Sequence, residues 1–208
     1  MQLTVDLSPE YFDNVADILS LECSPILTPD GQVDKPGYLN DFGNAFLRRF
    51  RHSGDLVDVD KAIFVLKKAV DLTPEGHPDK PCRLNNLGMS LLSRFKRLGD
   101  LGDMEKAISA HQQAVYLTPE GHPDKPCLLN NLGSSLLCRF ERLGDLGDIE
   151  KAISTLQQAV YLTPEGHPDK PCRLNHLGIS FSCRFDMFVI LISFSYFIPV
   201  NDCIKQRG

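Results

Sequence analysis

The run LTPEGHPDKPC at positions 72–82 recurs without change at 117–127 and at 162–172, so the chain advances in steps of 45 residues. A diverged copy, LTPDGQVDKP, sits one further step back at 27–36. A chain that repeats itself at such a period builds a stack of like units, and the repeat has to be read before any local feature. The step divides the 208 residues into an opening half unit, 1–35, three units, 36–80, 81–125 and 126–170, a partial unit, 171–185, and a tail that leaves the pattern, 186–208. Units 81–125 and 126–170 agree at 38 of 45 positions.

Each unit carries two stretches of helical period. Leu84, Leu87, Leu91, Leu92 and Phe95 fall on one stripe of a first helix. Asp79 is placed to cap it, Pro81 suits its first turn, and the glycines of Gly99-Asp-Leu-Gly102 end it. Met104, Ala107, Ile108, His111 and Val115 make the stripe of a second helix, for which Asp103 is the expected cap. Thr118-Pro119 and Gly121-His-Pro123 stop that helix, because proline cannot continue the hydrogen-bond ladder. A helix pair cannot bury its stripe alone. The expected fold is all-α, a right-handed solenoid of antiparallel helix pairs.

Composition narrows the function. Lys plus Arg number 22 and Asp plus Glu 27, a net charge of −5, which argues against a module that works by neutralising nucleic-acid phosphates. Residues 1–12 hold Asp6 and Glu10 and no apolar run, unlike a secretory leader. Five of the seven cysteines recur with the units (Cys82, Cys127 and Cys172; Cys138 and Cys183), so repetition explains their spacing better than pairing does. Reduced thiols and a cytoplasmic location are expected. His77, His122 and His167 each precede a cysteine by five residues, but each unit offers two ligands where zinc takes four. No Gly-Lys-Ser/Thr follows the turn glycines, so no phosphate loop is present. No cofactor, metal site or catalytic residue is expected, and the chain is read as not an enzyme.

The unit resembles the tetratricopeptide repeat, whose pattern runs W-x2-L-G-x2-Y, then A-x3-F, then P. Here the corresponding residues are Leu84, Leu87-Gly88, Leu91, Ala107, His111, Ala114 and Pro119. The neighbouring units give Leu129, Leu132-Gly133, Leu136, Ala152, Leu156, Ala159 and Pro164, and Leu39, Phe42-Gly43, Phe46, Ala62, Leu66, Ala69 and Pro74. Leucine mostly replaces the family's Trp and Tyr, and the unit is longer than the family's 34 residues. Such long units are similar to those of kinesin light chain and of fungal tetratricopeptide proteins with Leu-Asn-Asn-Leu-Gly runs. HEAT repeats share the length but not the Ala-x6-Ala-x4-Pro spacing of Ala107, Ala114 and Pro119.

The resemblance implies a non-catalytic scaffold whose first helices line a concave groove for a peptide or partner helix. Asparagines there bond a bound peptide's backbone, which carries over to Asn40, Asn85, Asn86, Asn130, Asn131 and Asn175. One turn on, Asn44, Met89, Ser134 and Ile179 share the face and differ between units, as partner contacts would and as free drift would. The competing reading gives the asparagines structural bonds to neighbouring loops. Arg49, Arg94, Arg139 and Arg184 recur and meet either acidic partner groups or the Asp-rich turns. In the fungal group such repeats often accompany CHAT peptidase-like or nucleotide-binding domains, which makes a regulatory segment of a larger signalling protein the alternative function.

At Asp186 the pattern stops, and 187–200 turns mostly apolar. Three origins fit: foreign sequence such as a translated intron, a substitute helix or strand covering the last unit, or a membrane tail, though 14 residues fall short of a bilayer span. Without a second helix, Leu174, Leu177, Phe181 and Phe185 are bare, a loss of roughly 6–12 kcal/mol at about 1.5–3 kcal/mol per side chain. Either the tail packs there or the chain self-associates through that end. Val15, Ile18, Leu19 and Leu21 in the opening segment match a degenerate second helix.

Overall fold

The computed structural model describes residues 35–196. The degenerate half unit and its four apolar residues, and the tail beyond 196, lie outside the described residues. Seven helices occur among the described residues: α1 Lys35–Ser53, α2 Leu56–Leu72, α3 Lys80–Leu98, α4 Leu101–Leu117, α5 Lys125–Leu143, α6 Leu146–Tyr161 and α7 Lys170–Tyr196. Each packs on the next in sequence, and the first helices of adjacent pairs also touch, α1 on α3, α3 on α5 and α5 on α7. The chain is an all-α solenoid of antiparallel helix pairs.

The two turns of each unit are fixed by different chemistry. Within a pair, Gly54, Gly99 and Gly144 hold left-handed backbone, with φ between 71° and 75°, and their N–H groups bond Phe50, Phe95 and Phe140. The chain reverses at once, and the next residue, Asp55, Asp100 or Asp145, caps the second helix by accepting the N–H of Val57, Gly102 or Gly147. The cap is therefore Asp100 and not Asp103, which lies a turn further in, 1% exposed. Asp103 instead takes two bonds from Arg94, at 2.7 Å each.

The connection between pairs explains why LTPEGHPDKPC is kept whole. The Thr73 hydroxyl donates to the Ala69 carbonyl, Gly76 turns the chain at φ 78°, and His77 Nδ1 accepts the Asp79 N–H at 3.1 Å. The Lys80 ammonium, 9% exposed, then donates to the Val70 and Thr73 carbonyls and ties off the end of α2. Asp79 occupies the cap position of α3, but its αR backbone gives no side-chain cap; its carboxylate meets Arg83 at 3.1 Å. The same Thr, His and Lys bonds recur at 118–125 and 163–170.

The expected stripes are the core. Leu84, Leu91, Leu92 and Phe95 of α3 and Met104, Ala107, Ile108 and His111 of α4 are buried, with Leu87 and Val115 packed at its edge. Helices within a pair approach over glycine. A Cβ on Gly43 would stand 2.4 Å from Leu66 Cγ, one on Gly88 2.5 Å from His111 Nε2, and one on Gly133 2.5 Å from Leu156 Cγ. Leu66, His111 and Leu156 are one structural position, each at most 1% exposed. Gly178, the fourth glycine of the series, has nothing within 4 Å.

That empty place follows from the sequence break. Where the turn Gly and cap Asp are due, the chain has Val189 and Ile190, so α7 runs on for 27 residues instead of 19 and does not fold back as far as Tyr196. Leu174, Phe181 and Phe185 are 49%, 37% and 67% exposed, whereas their counterparts Leu129, Leu136 and Phe140 are 3%, 3% and 5% exposed. The covering helix considered for the last unit is not among the described residues. No helix among them is long and apolar enough to cross a membrane.

Paired glycine substitutions separate the two situations. Gly133→Ala is expected to cost about 1–3 kcal/mol, because Leu156 cannot retreat from a packed core. Within a single copy of the chain, Gly178→Ala is expected to cost nothing and to gain up to about 1 kcal/mol from helix propensity. Urea unfolding followed by circular dichroism distinguishes them, and equal destabilisation would contradict the packing described.

Candidate partner-binding groove

The first helices stand side by side, so the polar residues beside their apolar stripes gather on one surface. Asn86 Nδ2 donates to Asn40 Oδ1 at 2.9 Å, and Asn131 Nδ2 donates to Asn85 Oδ1 at 2.9 Å. His176 Nδ1 stands 2.8 Å from Asn130 Oδ1 and continues the ladder onto α7. Each rung joins one unit to the next. The asparagines thus bond one another between units, not neighbouring loops. Asn175 is exposed on α7, where no further unit follows among the described residues.

One turn along lies an open cleft of about 300 Å³ lined by Asn44, Leu47, Arg48, Arg51, Asn85, Asn86, Met89 and Asn131. It brings together Asn44, Asn85, Asn86, Met89 and Asn131 of the residues expected in the groove. Asn40 and Asn130 sit behind it as ladder acceptors, and Ser134 lies 3.5 Å from His176 Nδ1. Arg48 and Arg51 were not singled out from the sequence. Their signal is periodic: Asn44, Arg48 and Arg51 follow one helical face, and Met89, Ser93 and Lys96 repeat the spacing. Ser134, Cys138 and Glu141, then Ile179, Cys183 and Asp186, complete it. Units 81–125 and 126–170 differ at seven positions, and three of these are on this face.

Charge changes sign along that face. Arg51 and Lys96 occupy the place that Glu141 and Asp186 take in the later units, and all four are exposed. Cys138 lies between Lys96 and Glu141, and Cys183 feels both Glu141 and Asp186; burial pushes both thiols up, so neither is a ready thiolate. Burial, and then the carboxylates of Asp124 and Asp79, also raise Cys82.

The recurring arginines belong to the scaffold. Arg94 grips the buried Asp103 of its own pair and reaches Asp60 of the preceding pair at 2.7 Å. Arg139 does the same with Asp148 and Glu105. Hydrogen bonds to Asp103 and Asp148 raise the two guanidinium pKa values against the effect of burial. Arg184 meets Glu150 at 3.3 Å, and Ser193 stands where its own aspartate is due. Each loop histidine serves its loop, and among the described residues no group of three or more metal-ligating side chains is assembled.

With the geometry in place, residues 143–165 match the tetratricopeptide repeat family model. The crystal structure of a Podosopora anserina protein, provisionally named a kinesin light chain and described as nearly identical TPR-like repeats, superposes with a TM-score of 0.58 at 14% identity. The match covers 85% of this chain and 79% of that one. A single-substitution variant of that protein gives 0.59 at 13% identity, covering 88% and 83%. The chain has a tetratricopeptide-like fold. At this identity the likeness is one of architecture. No curated protein matches the sequence.

Among the buried positions at which the second tetratricopeptide-like pair differs from its neighbours, one faces Gly88. His111 stands where they have leucine. Its Nδ1 lies 2.9 Å from Ser135 Oγ, whose own proton goes to the Asn131 carbonyl, so Nδ1–H is the donor. Nε2 then faces the α3 backbone over Gly88 as an unpaired acceptor; the Asn85 carbonyl nearby favours the charged form but completes no bond to the neutral ring. Burial wins and holds the folded-state pKa at about 4. Between the unfolded value near 6.5 and about 4, the unfolded chain binds the proton and the folded chain does not, so stability falls as pH falls through that window. The span corresponds to roughly 3 kcal/mol. His111→Leu is expected to unfold at higher urea at neutral pH, and its advantage over the native chain is expected to widen between pH 6.5 and pH 4. Parallel pH profiles of the two would refute the assignment.

Proposed function

We propose that the chain is a non-catalytic protein-interaction scaffold that holds an extended segment of a partner along the face of its first helices. Tetratricopeptide-like repeats generally mediate protein–protein contact, and the observation that carries the reading here is the cleft of Asn44, Arg48, Arg51, Asn85, Asn86, Met89 and Asn131. It combines amide groups for a peptide backbone, Met89 as an adaptable apolar contact and two exposed guanidinium groups. The asparagines are held in place by their ladder, so they meet a ligand with little further ordering.

The charge order supports a choice of partner. Arg48, Arg51 and Lys96 at the first end favour an acidic segment, although the whole chain carries a net charge of −5. Glu141 and Asp186 at the other end repel one. An acidic stretch followed by a neutral or basic one fits in one direction only. Selection of peptides on the immobilised chain, followed by titration of the best binder, tests this. Arg48→Glu with Arg51→Glu is expected to weaken binding at least about tenfold and to reduce its salt dependence, and Ser154→Glu on α6 is expected to leave it unchanged. Selected peptides without acidic enrichment, or binding indifferent to the arginine pair, would refute the reading.

A further inference from the structure

The face that α7 leaves uncovered has a regularity of its own. Leu174, Gly178, Phe181, Phe185, Phe188 and Ile192 advance by alternate steps of four and three, the 3.5-residue spacing of a helix-on-helix seam. The five side chains are 37% to 67% exposed. In the preceding pair the matching residues Leu129, Gly133, Leu136 and Phe140 are covered by α6, whose Leu156 fills the place over Gly133. The seam continues past the point where such a face ends elsewhere in the chain, because α7 is 27 residues long. It is therefore more than an interrupted copy of the repeat.

We propose that this seam is a homodimer interface, in which α7 of one copy packs antiparallel on α7 of a second. Self-complementarity selects that occupant and that direction. Antiparallel pairing about the middle of the seam sets Phe181 against Phe185 of the partner, Leu174 against Ile192, and Gly178 against Phe188. The position without a side chain thus receives a ring, as Gly133 receives Leu156. Parallel pairing would set Gly178 against Gly178 and leave a void there. It would also depart from the antiparallel packing that every covered first helix of this chain uses. The exposed parts of Leu174, Phe181, Phe185, Phe188, Val189 and Ile192 give roughly 600 Å² of apolar surface per copy, against about 800 Å² of total surface per partner in a standard interface. The groove positions Ile179, Cys183 and Asp186 lie on another side of α7, so dimerisation leaves the proposed peptide face open, and the two proposals fail independently.

Sedimentation equilibrium of the full chain from about 1 to about 100 µM tests the interface. A single monomer–dimer equilibrium is expected. Phe181→Asp with Phe185→Asp is expected to raise the dimer dissociation constant at least about a hundredfold with unchanged circular dichroism. Ile190→Asp, an equally exposed apolar residue on the opposite side of α7, is expected to leave it unchanged. A chain that stays monomeric, an open series of larger species, or a dimer indifferent to the phenylalanine pair would overturn the proposal. So would co-sedimentation of the native chain with phosphatidylcholine vesicles that is lost in the double variant, since the face would then serve a lipid surface.

Discussion

The close approach of paired helices over a glycine is the constraint from which the rest of the structure follows. Gly43, Gly88 and Gly133 lack the side chain that Leu66, His111 and Leu156 would strike, so the second helix of each pair can sink a large buried residue onto the backbone of the first. That contact sets the depth and angle of the pair. With the angle set, Ala62, Ala107 and Ala152 vanish completely into the crossing, and Phe46, Met104 and Ile149 fill the space beside it. A repeat in which one such contact is made identically three times stacks with a constant step, and a constant step is what lines up the first helices into a continuous face.

Two polar ladders then turn stacked pairs into one body. The arginine ladder bonds within a pair and reaches back to the preceding one, through the buried Asp58, Asp103 and Asp148 and the exposed Asp60, Glu105 and Glu150. The asparagine ladder joins each first helix directly to the next. Removing the arginine would leave a buried aspartate without its partner, which fits the recurrence of both in the three full pairs, while Arg184, with Ser193 in the aspartate's place, meets Glu150. The face that carries Asn44, Arg48 and Arg51 and their equivalents takes a smaller part in the packing, with Met89 and Cys138 resting at the edge of the core. That is where the near-identical units diverge, at Met89 and Ser134, Ser93 and Cys138, Lys96 and Glu141.

Much of this was legible in the sequence. The 45-residue period, the two helices of a unit and the stripes they bury follow from where Leu, Ala and Gly recur, and the fold they imply is the one observed. The bonding partners were harder to read. Asp100 and Asp103 are both plausible caps, and the choice depends on how sharply Gly99 reverses the chain, which only backbone geometry reveals. The asparagine rungs join Asn40 to Asn86 and Asn85 to Asn131, one residue more than a full period apart, so a comparison of equivalent positions never places the two partners together. Arg48 and Arg51 do not recur at the 45-residue step, and recurrence marks only what is kept, whereas the face proposed to bind a partner is one where the units differ.

The break at Asp186 shows the same logic in reverse. Replacing one glycine and one aspartate, by Val189 and Ile190, removes both the left-handed residue that reverses the chain and the carboxylate that starts the next helix. No glycine or proline interrupts residues 189–196, so nothing stops the hydrogen-bond ladder and α7 runs on, although Val189, Ile190 and Ile192 are only moderate helix formers. Among the described residues the last unit has no second helix over it, yet its exposed residues keep the spacing that one helix needs to meet another. A solenoid buries each unit against its successor, and because none follows among the described residues, α7 presents there the surface that the fold is built to cover. Phe188 falls where α5 has its last residue, Leu143, and Ile192 carries the spacing one turn further; in the proposed dimer the partner copy's ring at that first position would stand over Gly178, as Leu156 stands over Gly133.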